Sequence, residues 1–255
     1  READEDELTT SRVTRFTFQQ SRELATKLRL QWSYGFRRIY TLGKVTAASP
    51  FPFSFTTDRA SLVASLIGDR RDNVLAPARG RFWSVSFEYA PSLLGSDIKF
   101  QKFFGQFFYY YSLRPDLVWA SGYRIGLAQG FGQSLLKQDR FQAGGSTTVR
   151  GFARNSLGPV DPVTDTVIGG EAVLVLNQEL RFPLYRWFRG VAFYDAGNTF
   201  ASVDTLRLGD LRHNLGVGLR LSFPFGLLRL DWARVLDPRP DEKTSRFFFS
   251  LGHAF

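Results

Sequence analysis

The sequence contains no cysteine and only two histidines, His213 and His253. The first absence removes disulfides, thiolate metal sites and cysteine nucleophiles. The second leaves little material for a zinc centre or a histidine-based triad. Ser250 and His253 lie close together on one expected strand and cannot form a triad without further partners. The expectation is therefore a protein that is not an enzyme and holds no cofactor or metal. No apolar run approaches the roughly 18 residues that a membrane-crossing helix requires. A secretory signal is missing too, because Arg1 leads straight into the acidic stretch Glu2-Ala3-Asp4-Glu5-Asp6-Glu7. An exported chain normally begins with a cleavable signal, so this one is expected to be processed or cut from something longer.

The net charge is +9, a value that would suit a nucleic-acid binder. Its distribution argues otherwise: lysines and arginines are scattered singly through apolar alternations, with no basic helix or tail. No nucleic-acid partner is expected. The charges read instead as one solvated face, which in a barrel is the lumen.

What the chain does have is 26 phenylalanines, 16% aromatic residues and a period of two. In residues 81–90, Trp83, Val85, Phe87 and Tyr89 oppose Ser84, Ser86, Glu88 and Ala90. Residues 117–128 set Leu117, Trp119, Tyr123, Ile125 and Leu127 against Ala120, Gly122, Arg124, Gly126 and Ala128. Leu215, Val217, Leu219, Leu221 and Phe223 alternate with Asn214, Gly216, Gly218, Arg220 and Ser222, and residues 27–36 behave alike. A helix would space apolar residues three and four apart. About eleven strands follow: 10–20, 24–40, 57–70, 80–92, 97–113, 116–131, 169–184, 188–200, 211–225, 227–236 and 245–255.

Many of these segments exceed the usual soluble strand of about five or six residues and suit tilted spans of about 9–11. One face carries Trp, Tyr, Phe, Leu and Val, and the other Gly, Ser, Asn, Gln, Arg and Glu. A soluble sandwich would turn the apolar face onto a second sheet; a membrane barrel turns it to lipid and lines its lumen with the polar face. Charge and glycine on the polar face favour the barrel. So do aromatics near strand ends, as in residues 100–111 with Tyr109, Tyr110 and Tyr111 at one end.

Residues 132–168 form a very long expected loop, of a length that is usually functional in a compact protein. It contains Gly144-Gly145-Ser146-Thr147-Thr148-Val149-Arg150-Gly151-Phe152 and then Asn155-Ser156-Leu157-Gly158-Pro159. One reading is a loop that folds into the lumen and anchors through Arg150, with Gly151 supplying an unusual backbone angle. The other is a solvated loop that happens to contain an arginine.

The stretch GGSTTVRGF resembles the signature loop of the BamA/TamA superfamily of outer-membrane assembly and translocation barrels. Further segments resemble that family in order and spacing: residues 176–183, Phe193-Tyr194-Asp195-Ala196-Gly197-Asn198, residues 226–231 and the terminal 247–255. The resemblance is good over about residues 55–255 and weak before them. It implies an all-β, antiparallel transmembrane barrel in the bacterial outer membrane. Residues 1–255 would then be the C-terminal portion of a sixteen-stranded barrel whose upstream polypeptide-transport-associated repeats are absent from this chain. By the same resemblance the loop anchor is Val149, Arg150, Gly151 and Phe152, and Arg150 reaches Glu179 and Asp195 on the inner wall. Alternation independently puts Glu179 on the polar face with Asn177 and Arg181; for Asp195, aligned with Val191 and Phe193, the placement rests on the family. Asp231, on the polar side with Arg229 and Ala233, is a further expected partner. Phe247, Phe249, Leu251 and Phe255 resemble the C-terminal recognition signal, and Gly252 matches the place where the last strand bends at a lateral seam.

Eleven strands fall short of sixteen, and open edges in lipid are costly. The intact protein is therefore expected to be longer, or another chain completes the wall. The implied function is insertion or translocation of polypeptides. Expected partners are outer-membrane lipid, unfolded outer-membrane or secreted clients, and periplasmic accessory proteins. A passive porin-like channel, or an anchor or secretion barrel for a fused or partner protein, is the alternative.

Overall fold

The computed structural model describes residues 2–5, 9–43, 54–185, 188–223, 226–240 and 242–251. Over these the chain is a single antiparallel meander, twelve strands paired in chain order. The strands are β1 (Glu2–Glu5), β2 (Thr9–Ala25), β3 (Leu28–Gly43), β4 (Ser54–Asp69), β5 (Gly80–Ala90), β6 (Phe100–Arg114), β7 (Leu117–Gly130), β8 (Ala172–Tyr185), β9 (Phe188–Phe200), β10 (Arg212–Phe223), β11 (Gly226–Val235) and β12 (Ser245–Leu251). Each of the eleven expected segments forms a strand, and the short β1 precedes them within the acidic stretch. No described helix is long and apolar enough to cross a membrane, which leaves crossing by strands open.

The chain divides into two compact units. The first comprises Arg1–Leu66, Ser86–Lys102 and Gln129–Leu135. Its β2–β3 hairpin turns at Lys27 in a left-handed conformation (φ 66°) and sets Phe16 opposite Phe36 and Phe18 opposite Tyr34. On the polar side of this unit, Arg38 pairs with Asp58 at 2.6 Å and Arg59 with Glu88 at 2.7 Å.

The second unit comprises Ile67–Val85, Phe103–Ala128 and Leu136–Phe255, and it carries the site. At one end three connections are short, Pro115-Asp116 joining β6 to β7 and only residues 186–187 and 224–225 separating the next two hairpin pairs, while residues 70–79 make a longer one between β4 and β5. At the other end residues 131–171, 201–211 and 236–244 make long loops. In β7, Trp119, Tyr123 and Ile125 point outward and are well exposed, while Ala120, Gly122, Gly126 and Ala128 are buried on the inner face. In β6 the alternation splits the tyrosines. Tyr109 and Tyr111 point outward, but Tyr110 is buried on the inner face beside Phe108 and Ala120, so only two of the three belong to an outward aromatic band.

Register then brings the functional side chains into rows across β7–β11. One inner row reads Ala120, Glu179, Phe193, Gly216, Ala233. The row nearer the long loops reads Gly122, Asn177, Asp195, Asn214, Val235, and the row on the short-turn side Val118, Arg181, Val191, Gly218, Asp231.

Candidate functional site

The loop between β7 and β8 packs on the inner face of these rows. Two glycines with positive φ start its tight segment, Gly144 at 102° and Gly145 at 103°, a region that side chains rarely enter. A Cβ on Gly144 would stand 2.2 Å from the Ala153 carbonyl. Turn hydrogen bonds follow: Thr148 N–H donates to the Gly145 carbonyl at 3.3 Å, and Gly145 N–H to the Phe152 carbonyl at 3.1 Å. The Thr148 hydroxyl accepts from Gly144 N–H at 2.9 Å. These bonds hold Val149-Arg150-Gly151-Phe152 together, and Val149, Arg150 and Phe152 are all nearly inaccessible to solvent.

Arg150 is the centre of the arrangement. Its Nε donates to Asp195 Oδ2 at 2.8 Å, its Nη2 to Asp195 Oδ1 at 2.6 Å, and its Nη1 to Glu179 Oε1 at 2.5 Å. The Arg150 backbone N–H adds a fourth bond, to Asp195 Oδ2 at 3.1 Å. A guanidinium presents donors in a fixed planar fork, so the paired bonds to Asp195 set its direction as well as its charge balance. Its Cζ lies 3.5 Å from the centre of the Phe193 ring, a cation–π contact on one flat face. Burial works against the Arg150 charge, but attraction to Asp195 and Glu179 outweighs it and raises the guanidinium pKa above its ordinary range.

The network extends beyond that pair. Three carboxylates, Glu179, Asp195 and Asp231, engage four arginines, Arg150, Arg181, Arg220 and Arg229. Arg181 holds the second oxygen of Glu179 at 2.8 Å. Asp231 was expected as a further partner of Arg150, but its hydrogen bonds go to Arg220 at 2.5 Å and Arg229 at 2.7 Å. The register explains this: Asp231 lies two rows from Asp195 and two strands away. It reaches the anchor through Arg220, whose Nη2 is 3.5 Å from Glu179 Oε1. Arg229 makes a separate tie to the loop, donating to the Ser146 carbonyl at 2.9 Å. Asn177 bridges both sides, donating to the Thr148 carbonyl at 2.6 Å and to Asp195 at 2.8 Å, while its own carbonyl accepts from Arg124 at 2.9 Å.

Phe152 is held from another direction. Arg212 lies over its ring at 4.8 Å and is fixed by Asp237 at 2.9 Å and Glu242 at 2.7 Å, both from the loop between β11 and β12. Gly151 has no positive φ, contrary to the sequence reading. Its smallness matters instead for contact, because a Cβ there would stand 2.7 Å from Asn214 Cβ and 3.1 Å from Val235 Cγ2. Gly216 has the corresponding role on the wall: a Cβ would fall 2.2 Å from the Phe193 ring, so the strand is bare where the ring beneath Arg150 must lie.

Of the expected anchor residues, Arg150 meets Glu179 and Asp195 in one buried cluster, while Gly151 and Phe152 pack against Asn214, Val235 and Arg212. Phe247, Phe249 and Leu251 lie on one highly exposed face of β12, and Gly252 and Phe255 fall outside the described residues. Arg220 and Arg229 had a signal in the sequence, as charges at polar positions of alternating strands. Arg212 with Asp237 and Glu242 had none, since loop and strand meet there only through folding.

The family model for the Omp85 superfamily domain matches residues 2–255. The chain belongs to the Omp85 superfamily. An outer membrane protein assembly factor BamA from Nitratidesulfovibrio vulgaris is 28% identical over 194 residues, covering 73% of this chain and 24% of that relative. A BamA from Neorickettsia risticii is 27% identical over 252 residues, 90% of this chain and 32% of the relative. The chain therefore spans about a quarter to a third of the length of these curated relatives. Among solved structures, BamA from Haemophilus ducreyi lacking POTRA domains 1–3 superposes with a TM-score of 0.80 at 18% identity, over 94% of this chain and 54% of that one. At that identity the likeness concerns the fold: an antiparallel transmembrane β-barrel. Omp85 membership places the chain in the bacterial outer membrane, with the outward aromatic and aliphatic rows against lipid.

Proposed function

We propose that this Omp85 chain is the C-terminal barrel portion of a factor that inserts or translocates unfolded polypeptides at the outer membrane. The observation that carries the reading is the buried Arg150–Asp195–Glu179 cluster, which ties the long loop to β8 and β9. A loop fixed by several charge-assisted bonds supports a plugged, braced wall over a freely open pore. The names of the curated relatives, outer membrane protein assembly factors, point the same way.

In this mechanism the wall opens at a seam on β12, where a client strand pairs with exposed backbone groups before leaving sideways. The barrel lowers the barrier further by thinning lipid beside the last strands. Outward apolar positions of β11 run only from Leu228 to Trp232 before Arg234 faces outward. That is about 13 Å of strand against a hydrocarbon core of about 30 Å. Upstream transport-associated repeats and periplasmic accessory proteins would deliver the client. No cofactor or nucleotide is required.

The test is insertion of a client barrel into liposomes by the full-length protein and by its Arg150→Ala variant. Loss of insertion in a variant whose barrel still folds supports the reading. A large, steady conductance in planar bilayers, with insertion undiminished in the variant, overturns it in favour of a porin-like channel.

A further inference from the structure

The lipid-facing side of β9 is a depression in the wall. Its outward residues Gly190 and Ala192 are small, whereas their register partners are larger: Phe182 and Leu180 on β8, Leu219 and Val217 on β10. Phe182 leans over Gly190, so Ala192 is the open floor. Trp119 on β7 and Trp232 on β11 bound this open groove, which has a volume of about 570 Å³. A second hollow of about 460 Å³ adjoins it toward the short-turn end and shares Val217 and Trp232 with it.

One side of the groove is pre-set by a polar chain. The Trp119 indole N–H donates to Gln178 Oε1 at 3.1 Å and to Ser121 Oγ at 3.0 Å. The Ser121 hydroxyl donates to Gln178 Oε1 at 2.7 Å, and Gln178 Nε2 donates to the Tyr123 hydroxyl at 3.3 Å. Gln178 therefore satisfies its amide within the wall although it faces hydrocarbon, where an unmet polar group is costly. The long-loop end of the groove is charged. Arg234 lines it, outward and exposed, opposite Leu215 in register. It forms no ion pair among the described residues. Beside it on β10, His213 Nδ1 is 2.6 Å from the Tyr194 hydroxyl. Asp237, which accepts the His213 backbone N–H at 3.3 Å, is committed to Arg212.

From this arrangement we infer that the groove along β9 seats an acyl chain of an anionic lipid whose phosphate pairs with Arg234. A dry depression in a wall forfeits contacts unless a flexible apolar chain fills it. A guanidinium with no carboxylate partner among the described residues complements a phosphate and can bind it through two parallel bonds. The charged end lies on the long-loop side, which in barrels of this class meets the outer leaflet. The inference rests on the outer-membrane location and is independent of the proposed insertion activity.

The test uses the full-length protein in neutral detergent, titrated with phosphatidylglycerol or phosphatidylcholine, with retained lipid measured by native mass spectrometry. Wild type is expected to retain the phosphatidylglycerol in preference. Arg234→Gln should lower that retention about fivefold, Arg234→Lys should keep most of it, and Ala192→Phe should abolish retention of both lipids. Resistance of the unheated barrel to SDS checks folding, and the two Arg234 variants carry the test if Ala192→Phe does not fold. Equal retention of the two lipids by wild type, or undiminished phosphatidylglycerol retention in Arg234→Gln, overturns the inference. So does a stable dimer that Ala192→Phe dissolves, which would assign the groove to a second copy of the chain.

Discussion

Strands β7 and β9 lie two apart in the same sheet and distribute bulk in opposite ways. On β7 the large residues Trp119, Tyr123 and Ile125 face outward, and alanine and glycine line the inner face. On β9 the inner face carries Val191, Phe193 and Asp195, all buried, while Gly190, Ala192 and Ala196 face out with Tyr194 as the large residue among them. The difference teaches that side-chain volume on each face of a barrel strand follows what covers it. Lipid covers the outside of β7. The anchored loop covers the inside of β9, so that face is built like a protein core with an ion pair set into it.

The largest blow to this contrast comes from Arg150→Ala. It leaves Glu179 and Asp195 buried without their shared cation, and removing one partner of a buried pair typically costs about 3–5 kcal/mol. Thermal unfolding in detergent should fall accordingly, and protease should cut within 132–168 in the variant before the wild type. Gly216→Val comes next. Its side chain must displace the Phe193 ring, with an expected loss of about 1–3 kcal/mol from overpacking. Gly105→Ala on β6 is the control: its Cβ meets nothing closer than 3.5 Å, and stability should hardly change. Equal losses from the two glycine variants would break the idea that the β9 inner face is tightly packed. A smaller effect is expected for Phe193→Leu, which keeps apolar volume and removes the ring beneath Arg150. A cost of about 1–2 kcal/mol matches a desolvated cation–π contact, and denaturant titration of the detergent-solubilised protein would measure it. Smallest is Trp119→Phe on the outer side of β7. Ser121 still satisfies Gln178 there, so the change should stay near 0.5 kcal/mol. A larger loss would show that the outward polar chain braces the wall.

Much of this fold was legible because lipid and water impose a period of two over long stretches. Residues 81–90 and 117–128 read correctly for that reason. The alternation weakens at β9, where Val191 and Phe193 are apolar yet inward, and at β6, where Tyr110 turns in among its outward neighbours. In both places an inner aromatic meets an arginine, Arg150 over Phe193 and Arg181 over Tyr110. A hydropathy pattern cannot register such pairs, since it scores each residue against solvent and not against its partner. The β2–β3 turn falls later than expected because β2 stays in regular register with β3 through Glu23↔Arg29, polar positions that a hydropathy pattern does not mark as strand.

The sequence by itself determined the strands and, along most of them, the two faces, because both depend on neighbours along the chain; it singled out the 144–152 loop only through a contiguous motif that resembles a family signature. Only the tertiary structure decided that Asp231 serves Arg220 and Arg229, that Gly151 and Gly216 are needed for closeness, and that β9 is hollow on its lipid side. Those outcomes depend on register between strands and on a loop crossing back over them. Both arise from contacts between residues distant in the chain, which no local pattern encodes.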